Sequence, residues 1–118
     1  MTDVRRRLGS DGEAAVARWY EARGYEVMSR NWRVREGELD LVLRRGRTVV
    51  FCEVKTRRGD AFGSPFEAVT FTKQRRLRTL AVRWLSEHSV RAGELRFDVA
   101  AVRVRGSVAE IEVLEAAF

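Results

Sequence analysis

Apolar and polar residues alternate most cleanly in "ELDLVL", residues 38–43. There Leu39, Leu41 and Leu43 fall on one side and Glu38, Asp40 and Val42 on the other. A period of two predicts a β-strand. The next segment, "RTVVFCEVK" at 47–55, is apolar at Val49, Val50, Phe51, Cys52 and Val54, as a strand bound for a core would be. The "RRGR" between them is short enough for a tight turn, so the two segments predict an antiparallel hairpin. If Gly46–Arg47 is the turn, Arg45 pairs with Thr48, and counting outward sets Asp40 opposite Glu53. One step in the turn would put Glu38 there instead. In either register Asp40, Glu53 and Lys55 share a face.

The rest of the pattern supplies the frame. Ala15, Trp19 and Ala22 recur at near-helical spacing and predict a first helix over about 11–23, with Gly24 as its left-handed stop. "YEVMSRNWRV", 25–34, reads as extended with a bend near Arg30–Asn31. Residues 56–69 read as a Gly-rich loop with a helical turn from Pro65. Leu77, Leu80, Ala81, Trp84, Leu85 and His88 form one stripe of a helix over 71–88, with Thr72 as its N-cap. Two strands follow, 95–104 and 108–114, around Arg105–Gly106–Ser107. The order α-β-β-β-α-β-β predicts an α/β fold: one domain over residues 1–118, with a mixed central sheet flanked by helices.

Composition narrows the function. A chain of 118 residues, 45% of them hydrophobic, is long enough to bury one core. Its net charge of +6 favours a polyanionic partner, of which nucleic acid is the commonest. Cys52 and His88 are the only residues of their kinds, which excludes an intrachain disulfide and any cysteine-based or multi-histidine metal site. Cys52 reads as a small core residue, and His88 as a packed or helix-terminal one. The basic start "MTDVRRRLGSDGE" has no apolar run behind it and does not read as a secretory signal. No stretch approaches a membrane span, so the expected setting is a reducing cytoplasm.

The hairpin carries the candidate chemistry. Two carboxylates held close repel one another, and a divalent cation relieves that repulsion. Mg²⁺ takes one or two carboxylates and completes its shell with water and phosphate oxygens. A neighbouring lysine orients water and offsets phosphate charge. Of the 23 basic residues only Lys55 and Lys73 are lysine, and an ammonium offers a compact, shiftable charge that a guanidinium does not. The same three residues also fit a solvated sheet surface with Lys55 as an ordinary ion partner. Glu13 has two readings as well, since "SDGE" is a capping-box pattern with Ser10 at the N-cap.

"GELDLV", "VVFCEVKTR", "FGSPFEAV", "TKQRRL" and "RFDVAAV", in this order between Gly9 and Val102, resemble the UPF0102 or YraN-like family of predicted endonuclease-like proteins. That family is placed in the PD-(D/E)XK nuclease superfamily and is similar to archaeal Holliday-junction resolvases. The resemblance implies a restriction-endonuclease-like αβββαβ core. It implies that Asp40 and Glu53 bind Mg²⁺ or Mn²⁺, that the Val54 carbonyl and Glu13 of the first helix assist them, and that Lys55 completes the E-x-K pair. No proline precedes Asp40, where the superfamily motif has one. Lys73 and Gln74 are implied to face the phosphate backbone, and Arg57, Arg58, Arg75, Arg76, Arg78 and Arg83 would extend a basic rim. Asp98 is expected to be structural, at the loop end of its strand. The expected function is a metal-dependent endonuclease on DNA, with branched or damaged DNA as the leading substrate class and DNA favoured over RNA. The alternatives are a non-catalytic nucleic-acid-binding module of a larger assembly and an RNA-directed nuclease. A junction-cutting role would favour a homodimer, through a free edge strand among residues 95–114.

Overall fold

A computed structural model describes residues 2–58, 66 and 69–118, with side chains from residue 11 onward. Helix α1 (Thr2–Glu21) is followed by strands β1 (Glu26–Val34), β2 (Gly37–Arg45) and β3 (Thr48–Arg58), helix α2 (Phe71–Glu87), and strands β4 (Glu94–Arg105) and β5 (Val108–Leu114). The strands form one sheet in the order β1-β2-β3-β4-β5. Only β3 and β4 run parallel; the other neighbours are antiparallel. A parallel pair needs a long crossover, and α2 lies within it. The expected αβββαβ order and mixed sheet are therefore observed, with β5 added at the edge. No described helix is long and apolar enough to cross a membrane.

The helices cover opposite faces of the sheet. Val16, Ala17 and Tyr20 of α1 pack with Leu41, Leu43, Val50, Cys52, Ala100 and Val102. Leu77, Leu80, Ala81 and Trp84 of α2 pack with Leu39, Val42, Val49, Phe51, Phe97 and Val99. A strand with a helix on each side must be apolar on both faces, which explains the unbroken run from Val49 to Cys52. The β2–β3 turn is the expected one: Gly46 has φ +59°, a left-handed geometry that glycine adopts without penalty, and Arg45 pairs with Thr48.

Several expectations shift. α1 starts at Thr2 rather than near residue 11, so Ser10 lies inside the helix and the capping-box reading of Glu13 fails. The buried stripe of α1 is Val16, Ala17 and Tyr20, whereas Ala22 is exposed. The register shift of β1 lies between Val27 and Ser29, although Asn31 does adopt a left-handed φ of 48° at the expected bend. Leu39 packs on the α2 side while Leu41 and Leu43 pack on the α1 side, so strict alternation breaks at Asp40. The N-cap of α2 is Thr70, whose hydroxyl accepts from the Lys73 N–H at 3.2 Å, not Thr72. Residues 56–58 belong to β3 rather than to a loop. Of the helical turn expected from Pro65, Phe66 is in a 3₁₀ turn and its carbonyl accepts the Val69 N–H at 3.3 Å, while Pro65 itself lies outside the described residues. His88 is the C-cap of α2, with its ring stacked on Trp84.

Asp98 is structural, but it sits within β4 rather than at its end. It is fully buried and accepts from the Tyr20 hydroxyl at 2.6 Å, twice from the Arg96 guanidinium at 2.9 Å, and from the Ala116 N–H at 3.0 Å. A buried carboxylate is tolerated when its lone pairs are met in this way. The network ties α1 to the sheet.

Candidate metal centre

The β2–β3 ladder runs from Arg45 and Thr48 to Leu41 and Cys52 and goes no further. Beyond that point β2 stays paired with β1 and β3 with β4. Asp40 sits where the strands part. Its Oδ2 accepts the Val54 N–H at 2.9 Å, in place of a ladder bond. Val54 thus contributes its amide to the described contacts of the centre, and that amide fixes the Asp40 carboxylate.

The fork admits side chains from both helices. From α1 comes Glu13, which is hydrogen-bonded to the Asn31 side chain. Its approach depends on Gly12: a Cβ built there would stand 2.2 Å from the Thr56 Oγ1, so only glycine lets α1 lie this close to β3. Carboxylate oxygens of Glu13, Glu38 and Asp40 lie within 4.8 Å of one another. From α2 comes Lys73, whose Nζ lies 2.7 Å from the Glu53 Oε1, the same oxygen that Lys55 approaches at 3.3 Å. Gly37, Glu38, Asp40, Glu53, Lys73 and Arg76 line a cleft of about 250 Å³ beside these groups.

Electrostatics set the carboxylates apart. Burial, then the Glu53 charge, push the Asp40 carboxyl up to about 8, against the opposing bond from the Val54 N–H. Burial chiefly raises Glu13 too, with Glu38 adding to it while the Asn31 bond works the other way. Burial, aided by the adjacent Lys73, holds Lys55 below the usual lysine range. Burial also opposes the charge of Lys73, but its bond to Glu53 and the other nearby groups outweigh this and raise it.

The residues fit a hard divalent ion. In the octahedral shell of Mg²⁺ opposite ligands stand about 4.2 Å apart and neighbouring ones about 3.0 Å, from bonds of about 2.1 Å. Three oxygens within 4.8 Å of one another would therefore close inward around the ion, by up to about 1.8 Å in a neighbouring pair. The carboxylates come from two elements, Glu13 from α1 and Glu38 and Asp40 from β2, and are half-buried. Glu13 and Glu38 add to the burial and the Glu53 charge that raise the proton affinity of Asp40. Glu38, whose Oε2 is also held by Arg33 at 2.7 Å, was not singled out from the sequence as a ligand. The signal was there: it is an acid two residues before Asp40 on the same alternating stretch.

Residues 12–102 match the model of the uncharacterised protein family UPF0102. The chain belongs to UPF0102. A UPF0102 protein of Beutenbergia cavernae is 56% identical over 108 residues, covering 91% of this chain and 92% of that protein. One from Rhodococcus opacus is 50% identical over 112 residues, with 94% and 95% covered. One from Parafrankia sp. is 49% identical over 116 residues, with 98% of each covered. The UPF0102 match takes in Glu13, Asp40, Glu53, Lys55 and Lys73, so the whole centre lies within the family region.

The expected basic rim divides on inspection. Arg76 lines the cleft, while Arg75 is exposed nearby with Thr72 and Thr79. Gln74 donates to the Val69 carbonyl at 3.2 Å and braces the start of α2. Arg78 lies over the rings of Phe97 and Phe118, and Arg83 pairs with Glu36 and Glu87, so both serve packing and ion pairing. On β3, Arg58 is exposed and Arg57 half-buried.

Proposed function

We propose that this UPF0102 chain is a metal-dependent endonuclease that hydrolyses phosphodiesters in nucleic acid, DNA ahead of RNA, with Mg²⁺ or Mn²⁺. The observation that carries the reading is the meeting of Glu13, Glu38 and Asp40 with the Glu53–Lys55 pair where β2 and β3 part. The likeness of that pair and of the strand order to PD-(D/E)XK nucleases supports it. Asp40, Glu13 and Glu38 would hold the ion, with Glu53 at the side of the cleft. A bound divalent ion supplies electrophilic stabilisation of the phosphate and an acidified water. Lys55, half-buried, would hold the attacking water and offset charge on the phosphate. Lys73 and Arg76 face the same cleft and would steady the phosphate as it enters.

One observation favours a second reading, a non-catalytic nucleic-acid-binding module. Glu53 already has two ammonium partners, so its carboxylate is compensated by the protein itself. Cleavage decides between the two. Labelled duplex, single strand, flap, fork, four-way junction and RNA would be incubated with Mg²⁺ and with Mn²⁺, with Lys55→Ala as the control. Metal-dependent cutting that the control lacks supports the nuclease, and the preferred substrate ranks DNA against RNA. Salt-sensitive binding without cutting favours the module.

A further inference from the structure

Among the described residues, one buried side-chain polar atom has no hydrogen-bond partner, the Arg57 Nε. A buried charged N–H without an acceptor is costly, and native structures rarely leave one so. Arg57 lines a cavity of about 190 Å³ with Ala101, Arg103, Glu110 and Glu112. The register explains the cluster. Arg57 lies beside Arg103 across β3–β4, Arg103 opposite Glu110 and Ala101 opposite Glu112 across β4–β5. Residues paired in this way show the same face of a sheet.

That face also carries Glu53 and Lys55. Glu53, Lys55 and Arg57 alternate along β3, so all three point to the same side. Arg57 stands two strand steps past Lys55, roughly 6.6 Å at 3.3 Å per residue, a spacing comparable with that of successive phosphates on one nucleic-acid strand. Guanidinium groups match phosphate oxygens with fixed, multiple N–H donors. Glu110 and Glu112 are exposed, and neither pairs with Arg57 or Arg103 among the described ion pairs.

We propose that Arg57 and Arg103 form a phosphate subsite, holding the phosphodiester next to the one presented to Glu53 and Lys55. This rests on the nuclease reading above. The subsite gives the substrate strand a direction across the sheet, from the β2–β3 fork toward β4 and β5. Glu110 and Glu112 sit on its outer wall and oppose the anion.

The test is fluorescence anisotropy of the intact chain with a labelled oligonucleotide in chelator, across a salt series. The oligonucleotide is the substrate cut best in the cleavage panel. Arg57→Gln should weaken binding roughly tenfold and reduce the slope of log K against log salt by about 0.7–0.9. Arg103→Gln should act in the same direction, and Glu110→Gln should strengthen binding. A methylphosphonate next to the scissile linkage should weaken the wild-type chain and leave Arg57→Gln unaffected. Wild-type affinity and slope in Arg57→Gln, or weaker binding by Glu110→Gln, would overturn the subsite while the nuclease reading stands. Equal methylphosphonate effects on both proteins would overturn its placement. If the wild-type chain binds but cuts nothing, the nuclease reading and this placement fall together. If melting shows Arg57→Gln unfolded, the sign of the Glu110→Gln effect decides.

Discussion

Asp40 is held between opposing demands. The Val54 N–H favours its charged form, while burial and Glu53 favour its protonated form and prevail, raising it to about 8 from an ordinary 3.8. A folded-state value above the unfolded one means that the folded chain binds the proton more tightly. The contribution to stability is then full below about 3.8 and is lost as pH rises through about 8. In chelator, the wild-type unfolding free energy should therefore fall relative to that of Asp40→Asn between these limits, by on the order of a few kcal/mol. Urea melts at several pH values would show it, and parallel curves would exclude it. Mg²⁺ should flatten the wild-type trend, because a bound cation replaces the proton. Tyr20 poses a simpler case. Tyr20→Phe removes one donor from the buried Asp98 carboxylate, at an expected cost of about 1.5–3 kcal/mol. A loss below about 0.5 kcal/mol in the same melts would mean that Arg96 and the Ala116 N–H suffice.

At the scale of elements, the close approach of α1 to β3 fixes where Glu13 stands. Gly12→Ala sets a methyl group against the Thr56 Oγ1 at 2.2 Å. Thr56 belongs to a paired strand and has little room to turn away. The helix should move outward, with a stability cost of about 1–3 kcal/mol and weaker Mg²⁺ binding through the displaced Glu13. Adding Thr56→Ala should restore much of both, a non-additivity readable by urea melts and titration calorimetry; independent effects would sink the steric account. The hairpin and its register were legible because a two-residue turn and a period of two leave few options. The early start of α1 was not, because "SDGE" imitates a helix N-terminus that the chain continues through. The side switch of Leu39 was hidden for a different reason. It arises where β2 and β3 part, a property of pairing that no single strand records. Lys73 could be flagged as one of two lysines, but its ion pair with Glu53 joins a helix to a strand 20 residues away and depends on how α2 lies on the sheet.

For the whole molecule, the net charge and the charge at the fork differ. The chain carries +6, yet at the fork four acidic residues, Glu13, Glu38, Asp40 and Glu53, stand against four basic ones, Lys55, Lys73, Arg33 and Arg76, so no positive excess collects there. The overall field attracts a polyanion, while the carboxylates of the metal-free centre oppose the phosphate that must enter it. This contrast separates the two readings without any cleavage. A plain basic surface binds nucleic acid less tightly as Mg²⁺ is added, because the ion competes for phosphates. A centre that takes up the ion gains positive charge and a phosphate ligand site, so binding should tighten. In anisotropy titrations at fixed ionic strength, the Lys55→Ala chain should gain affinity on addition of Mg²⁺, and Asp40→Asn should lose part of that gain. A steady weakening with Mg²⁺ in both variants would leave the acidic fork without a metal role and favour the binding module.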